Sequence, residues 1–228
     1  TLNSVSSTPP DFSDWEKIDN TSNPEVTKYE KTYASGITTV WSFTNVSTVQ
    51  PGDLSDVSKW TMVPNAADGS ETYTLRNDPN VKWTKTTLGD GSVKFTNTSG
   101  DIITTITYSS STLTTYNPDG TIVTVVTETK SVSVTAGTGS GAASNTTQEV
   151  HQTTIIDVPK DYILPEGWAD CSLGGCNTIP AGWVSAGGGN GVLYYQKGED
   201  KKTVYLGGSR IIQQSYYTQK GYESPEYF

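Results

Sequence analysis

Residues 101–134 read DIITTITYSSSTLTTYNPDGTIVTVVTETKSVSV. Threonine or serine alternates with isoleucine, valine and leucine through most of this stretch, which is the two-residue period of a strand. Threonine is β-branched and stiff about its first side-chain torsion, so it favours extended backbone, and its hydroxyl tolerates solvent. Midway stands NPDG, residues 117–120. There proline presets a type I turn, and Gly120 supplies the left-handed residue that restarts the chain. The stretch predicts antiparallel strands over 102–108, 112–116 and 121–134. It holds no histidine and no cysteine.

Outward from this hairpin the same chemistry continues. Serine and threonine number 61 of 228 residues, and hydrophobic residues make up 33%, with thirteen tyrosines and six tryptophans. That is enough apolar surface for a core and too little leucine-rich periodicity for helices. Further strands are expected over 71–75, 81–87 and 92–96, punctuated by NDPN, LGDG and NTSG. PGDLSDVSKW, residues 51–60, reads as a turn or one helical turn that Asp53 can cap. Residues 149–158, 192–198, 201–208 and 209–219 complete the expected strands, nine to eleven in all. No fixed repeat supports a solenoid or propeller. The expected fold is all-β: a single antiparallel β-sandwich, Ig-like or jelly-roll-like, over residues 36–228, with a Gly/Ala/Ser-rich loop at 135–147.

Residues 1–35 differ. They carry three prolines and many turn formers, and Pro9 and Pro10 exclude a ladder position. This segment reads as an extended N-terminal arm with Phe12 and Trp15 as anchors. The strand that follows, GITTVWSFTNVSTV, sets Ile37, Trp41 and Phe43 on one face and Val40 and Val46 on the other.

Net charge is −9, against the clustered cations that nucleic acid or anionic membranes require, and no run is long enough for a membrane-spanning helix. The chain begins at Thr1 without an initiator methionine, which points to a processed, exported protein, extracellular or at the cell surface. Cys171 and Cys176, in CSLGGC, are five positions apart across a glycine pair and read as a small disulfide loop. With one histidine, His151, a zinc site lacks ligands. No metal or other cofactor is expected.

Catalytic patterns fail one by one. Acid pairs such as Asp14 with Glu16, or Glu166 and Asp170 near Trp168, lie beside turn formers, without the spaced strand acids of a jelly-roll glycosidase. His151 sits in a strand with no nucleophile elbow elsewhere. AGGGNG, residues 186–191, is not followed by a helix or a Lys-Ser/Thr step. Asp90, Asp101 and Asp119 stand singly in turns, short of a calcium loop. The chain reads as a non-enzyme. Trp168, Trp183, Tyr194 and Tyr216 are candidates for stacking against glycans, although of two adjacent strand tyrosines one should face the core. Asn20, Asn45, Asn97 and Asn145 head glycosylation sequons, a number that chance supplies in so Ser/Thr-rich a chain.

An arm ahead of a strand with one apolar face, in a sheet protein without reactive residues, suggests a strand that is lent to a neighbour. In this organisation the chain resembles bacterial and archaeal extracellular filament subunits joined by donor-strand exchange. The likeness is of design and not of motif. Tyr227 is penultimate, as in chaperone–usher pilins, but Pro225 breaks the alternation, and the N-terminus is not the apolar helix of type IV pilins. The resemblance implies a pilus-like structural subunit whose main partner is itself, in a head-to-tail homopolymer. The expected donor is residues 37–49, with Thr1 to Ser7 behind Phe12 and Trp15 as the other candidate. A carbohydrate-binding or adhesin domain is the alternative, with glycans as partners.

Overall fold

A computed structural model describes residues 9–18, 27–46, 49–137, 142–168, 179–189 and 191–223. The opening stretch forms two strands of fifteen residues, β8 (Ile102–Tyr116) and β9 (Ile122–Ala136). They pair along their whole length, from Ile102↔Ala136 to Tyr116↔Ile122. At about 3.4 Å per residue each spans about 50 Å. The turn between them is as expected. Gly120 has φ +84°, its N–H donates to the Asn117 carbonyl at 2.9 Å, and an added Cβ would meet the Pro159 ring at 3.0 Å. The break expected between 108 and 112 is absent. Ser109, Ser110 and Ser111 contain no turn former and continue the ladder opposite Thr129, Glu128 and Thr127.

The other edge of β9 pairs with β10 (Ala143–Asp157), and β10 with β14 (Arg210–Glu223). These four long strands make a platform. Beyond β8 the sheet forks. The first half of β8 pairs with β7 (Val93–Ser99), ending at Val93↔Tyr108. The second half pairs with β3 (Thr38–Thr44), beginning at Thr44↔Ser110. One limb continues through β6 (Asp78–Thr87), β5 (Glu71–Leu75) and β4 (Trp60–Pro64). The other continues through β2 (Thr27–Thr32) to β1 (Glu16–Ile18). A separate three-stranded sheet holds β11 (Val184–Gly189), β12 (Val192–Lys197) and β13 (Asp200–Tyr205). All pairing is antiparallel, and the described residues contain fourteen strands and no helix. Residues 51–59 are successive turns, with the Leu54 amide bonded to the Pro51 carbonyl at 3.0 Å.

The segment expected to be a free arm contributes β1 and β2 to the main sheet. The reason lies in its aromatics. Phe12 stacks on Tyr29 with ring centroids 4.2 Å apart and meets Trp15, Trp41 and Phe43 edge-on. Phe12, with Trp15 against it, packs on rings of its own chain.

Two further clusters hold the sheets. Val93 and Phe95 are wholly buried in the curled limb, with Leu54, Trp60 and Tyr73 and the flanking Ile106 and Tyr108. Cross-strand pairs Phe95↔Ile106 and Val93↔Tyr108 place these side chains on one face. At the far end of the platform Ile156, Val158 and Ile211 pack against Val192 and Tyr205 of the small sheet. At the fork, Val46 N–H donates to the Gly91 carbonyl at 3.1 Å and ties the two limbs. Gly91 has φ +80°, and a Cβ there would press on the Asn45 backbone at 3.1 Å. Phe95→Ala should cost about 3–5 kcal/mol, as truncation of a buried aromatic does. Urea unfolding followed by tryptophan fluorescence measures it, and a cost under about 1 kcal/mol would show that the limb has no packed core.

Candidate functional site

The acids that the chain carries in turns are occupied. In Asp56-x-Ser58, Asp68-x-Ser70, Asp90-x-Ser92 and Asp119-x-Thr121 the carboxylate accepts the backbone N–H at 2.9–3.0 Å and the hydroxyl at 2.6–2.7 Å. These are local turn closures. They take up two of the acids that stood as calcium candidates. The Ser58 and Ser70 hydroxyls, then their amides, hold the Asp56 and Asp68 carboxyls below the ordinary range. Arg210 does the same to Asp157 through hydrogen bonds of 2.5 and 2.9 Å.

Midway along the platform, Glu128, Lys130, Glu149 and His151 stand in two transverse rows on one face. One row is Ser110, Glu128, His151, Tyr216, and the other is Tyr108, Lys130, Glu149, Thr218. Glu128 lies 3.2 Å from His151 Nδ1, and Lys130 Nζ donates to Glu149 at 3.3 Å. A pocket of about 200 Å³ opens over these rows beneath Val46 and Val49 at the fork. Burial pushes the Tyr108 hydroxyl pKa up, with the Glu149 charge adding to it and Lys130 opposing. Each carboxylate in the rows thus has a cross-strand partner, Glu149 an ion pair with Lys130 and Glu128 the His151 ring. Among the described residues no group of three or more His, Cys, Asp or Glu is placed to hold a metal, and no helix is long and apolar enough to cross a membrane.

The four glycan-stacking candidates do not converge. Trp168 and Trp183 pack edge-to-face at 5.5 Å, and Trp168 covers Tyr195 at 4.4 Å, with Lys202 Nζ over its ring at 5.0 Å. Tyr195 is the buried member of its pair and Tyr194 the exposed one, as strand alternation requires. Tyr216 lies on the other sheet. The rule fails there, because Tyr216 and Tyr217 are both exposed. Of the sequons, Asn97 is engaged, its amide donating to the Lys82 carbonyl at 2.6 Å. Asn45 is half-buried at the fork, and Asn145 is exposed at the start of β10. Asn20, Cys171, Cys176 and Tyr227 lie outside the described residues.

The expected donor strand is an interior strand. Within residues 37–49, β3 is hydrogen-bonded to β2 on one side and β8 on the other. Trp41 is 5% exposed, Phe43 stacks beside it, and Val46 packs on the limb core. Val40 is half-buried, and the Ile37 carbonyl closes the β2–β3 turn by accepting the Tyr33 N–H at 2.8 Å. Lending β3 would strip both neighbours of a partner.

The open position in the sheet is elsewhere. Among the described residues β14 pairs with β10 alone, and residues 212–220 are exposed on both faces, Ile212 to 60% and Tyr216 to 66%. The Ser209 carbonyl accepts the Val158 N–H at 2.8 Å, which sets the phase of the strand. Peptide groups alternate in direction, so odd-numbered residues of β14 face β10. The seven even-numbered residues from Arg210 to Tyr222 turn N–H and C=O outward, with no described strand opposite. The sequence did carry a signal for this: IIQQSYYTQ, residues 211–219, has apolar and polar residues on both parities and no charge. Comparison with protein-family models, characterised proteins and solved structures finds no match.

The depressed carboxyls fix the sign of the acid response. Asp56, Asp68 and Asp157 have folded-state pKa values below the ordinary 3.8. The stability they contribute is complete above that value and is lost as pH falls through the depressed ones. The melting temperature should hold level from pH 7 to about 5 and drop below about pH 4. Thermal melts by circular dichroism test this, and a melting temperature that rises on acidification would contradict it.

Proposed function

We propose that the protein is a structural subunit of an extracellular filament or surface assembly of the pilus kind, in which neighbouring copies join by strand addition. The open edge of β14 is the observation that carries this reading. Every other free edge of the described sheets is blunted. β1 is three residues long, β4 ends in Pro64, β11 is bulged between Ser185 and Gly188, and β13 carries Lys201 and Lys202. Natural sheets use such devices against edge-to-edge association. β14 has fourteen residues with no bulge, no proline and no charge from Ile211 to Gln219; its only cations, Arg210 and Lys220, stand toward its ends.

The rest of the molecule suits a scaffold. Two sheets meet through Ile156, Ile211 and Val192, which supports reading the fold as a two-layer sandwich. Hydroxyl pairs such as Ser133–Ser144 at 3.2 Å and Thr114–Thr124 at 3.4 Å cross-link the long strands. The magnitudes are sufficient. Backbone bonds contribute about 0.5–1.5 kcal/mol each and association costs roughly 4–15 kcal/mol, so a long joint can hold where a short one cannot. A second reading, a glycan-binding surface domain, is favoured by the groove where exposed Tyr194 stands with Gln196, Thr203 and Gln213. A glycan array separates the two.

Sedimentation across a concentration series, with negative-stain microscopy of the same samples, tests the proposal. Self-association should grow with concentration. It should also grow with salt, because the net charge of −9 repels copies at low ionic strength. Monomers at every concentration and salt, with no assembled species on the grid, would sink it.

A further inference from the structure

We infer that β14 pairs antiparallel with β14 of a second copy, about a two-fold axis through Tyr216. This rests on the reading of the protein as a strand-joined subunit, and it names the joint and its occupant. Strand addition needs a partner strand whose own ladder is unmet. Among the described strands longer than six residues, β3, β6, β7, β8, β9 and β10 are paired on both sides. The unmet long ladder is β14 itself, so the occupant that fits its length is another β14.

Symmetry then limits the register. A two-fold axis normal to a sheet keeps each side chain on its own face, so opposed residues must share parity. The seven outward-facing residues, Arg210 to Tyr222, are symmetric about Tyr216. Centring there sets Tyr216 opposite itself, Gln214 opposite Thr218 and Ile212 opposite Lys220. All seven residues then exchange hydrogen bonds, which meets the backbone's demand for partners. An axis one residue further on leaves Arg210 without a counterpart in the strand.

Side chains agree with this register. No like charges face each other across the joint, and Arg210 is already neutralised by Asp157. Two exposed Tyr216 rings come side by side as an aromatic cross-strand pair. Thirteen residues give a seam about 44 Å long and about 10 Å thick, so roughly 900 Å² is buried in total. That is near the lower bound of about 1,000 Å² for a specific interface, and the joint should be concentration-dependent. It unites two platforms in one continuous sheet. By itself this two-fold joint closes a pair of copies, so an extended assembly would need a further contact between pairs in place of a head-to-tail series.

The test uses the intact chain with photoreactive benzoyl-phenylalanine at Tyr216 or at Ile212, irradiated at concentrations where sedimentation shows association. Covalent dimers are mapped by mass spectrometry. The label at 216 should join the 214–218 region of the second copy, and the label at 212 should join residues near 220. Gln214→Pro removes an outward N–H while sparing the ladder to β10. It should weaken association by about 10-fold to 100-fold with the circular dichroism spectrum unchanged. Dimers mapped to other segments, or association without cross-links at either position, would overturn the two-fold joint and leave the strand-joined subunit standing. A wild-type chain that never associates would overturn both.

Discussion

The structure depends on the fifteen-pair ladder between β8 and β9. Because β8 is twice the length of its partners on the far side, β7 and β3 share it end to end and the sheet must fork at Ser109. The fork sets up the pocket under Val46, the tie from Val46 to Gly91, and the two limbs with their separate cores. On the near side the same length propagates through β10 to β14, so the last strand is long because the first hairpin is long. Threonine fits this geometry. A platform covered only in part on either face needs residues that prefer extended backbone and bear being half wet.

Much of this was legible along the chain, and the failures have one cause. The NPDG hairpin, the LGDG turn and the alternation that buries Tyr195 and exposes Tyr194 are local, and local chemistry decides them. Three serines at 109–111 looked like an interruption because residues 127–129, which continue their ladder, are not adjacent in sequence. EKI and TKYEKT looked like an arm because β1 and β2 are short and rich in charge. They gain their place only by packing Phe12 and Tyr29 on Trp41 and Phe43. With β2 unseen, β3 looked free to leave. The glycan-stacking set fell apart for the same reason, since strand order determines which aromatics meet.

The residues of the candidate joint were visible and misweighted. IIQQSYYTQ reads as an ordinary final strand if one assumes that a strand has an inside. Exposure of residues 212–220 on both faces shows that this part of the strand has none among the described residues. A sheet protein with net charge −9 guards against indiscriminate aggregation by repulsion and by blunted edges, and β14 is the long edge left open among the described strands.

Hydrogen exchange resolved by residue along β14 tests that account most directly. Amides of odd-numbered residues from Ile211 to Gln219 should be protected at all concentrations, because they face β10. Those of even-numbered residues from Ile212 to Lys220 should exchange freely in dilute protein and become protected as concentration rises. Even-numbered amides that stay equally exchangeable across the whole range would contradict it.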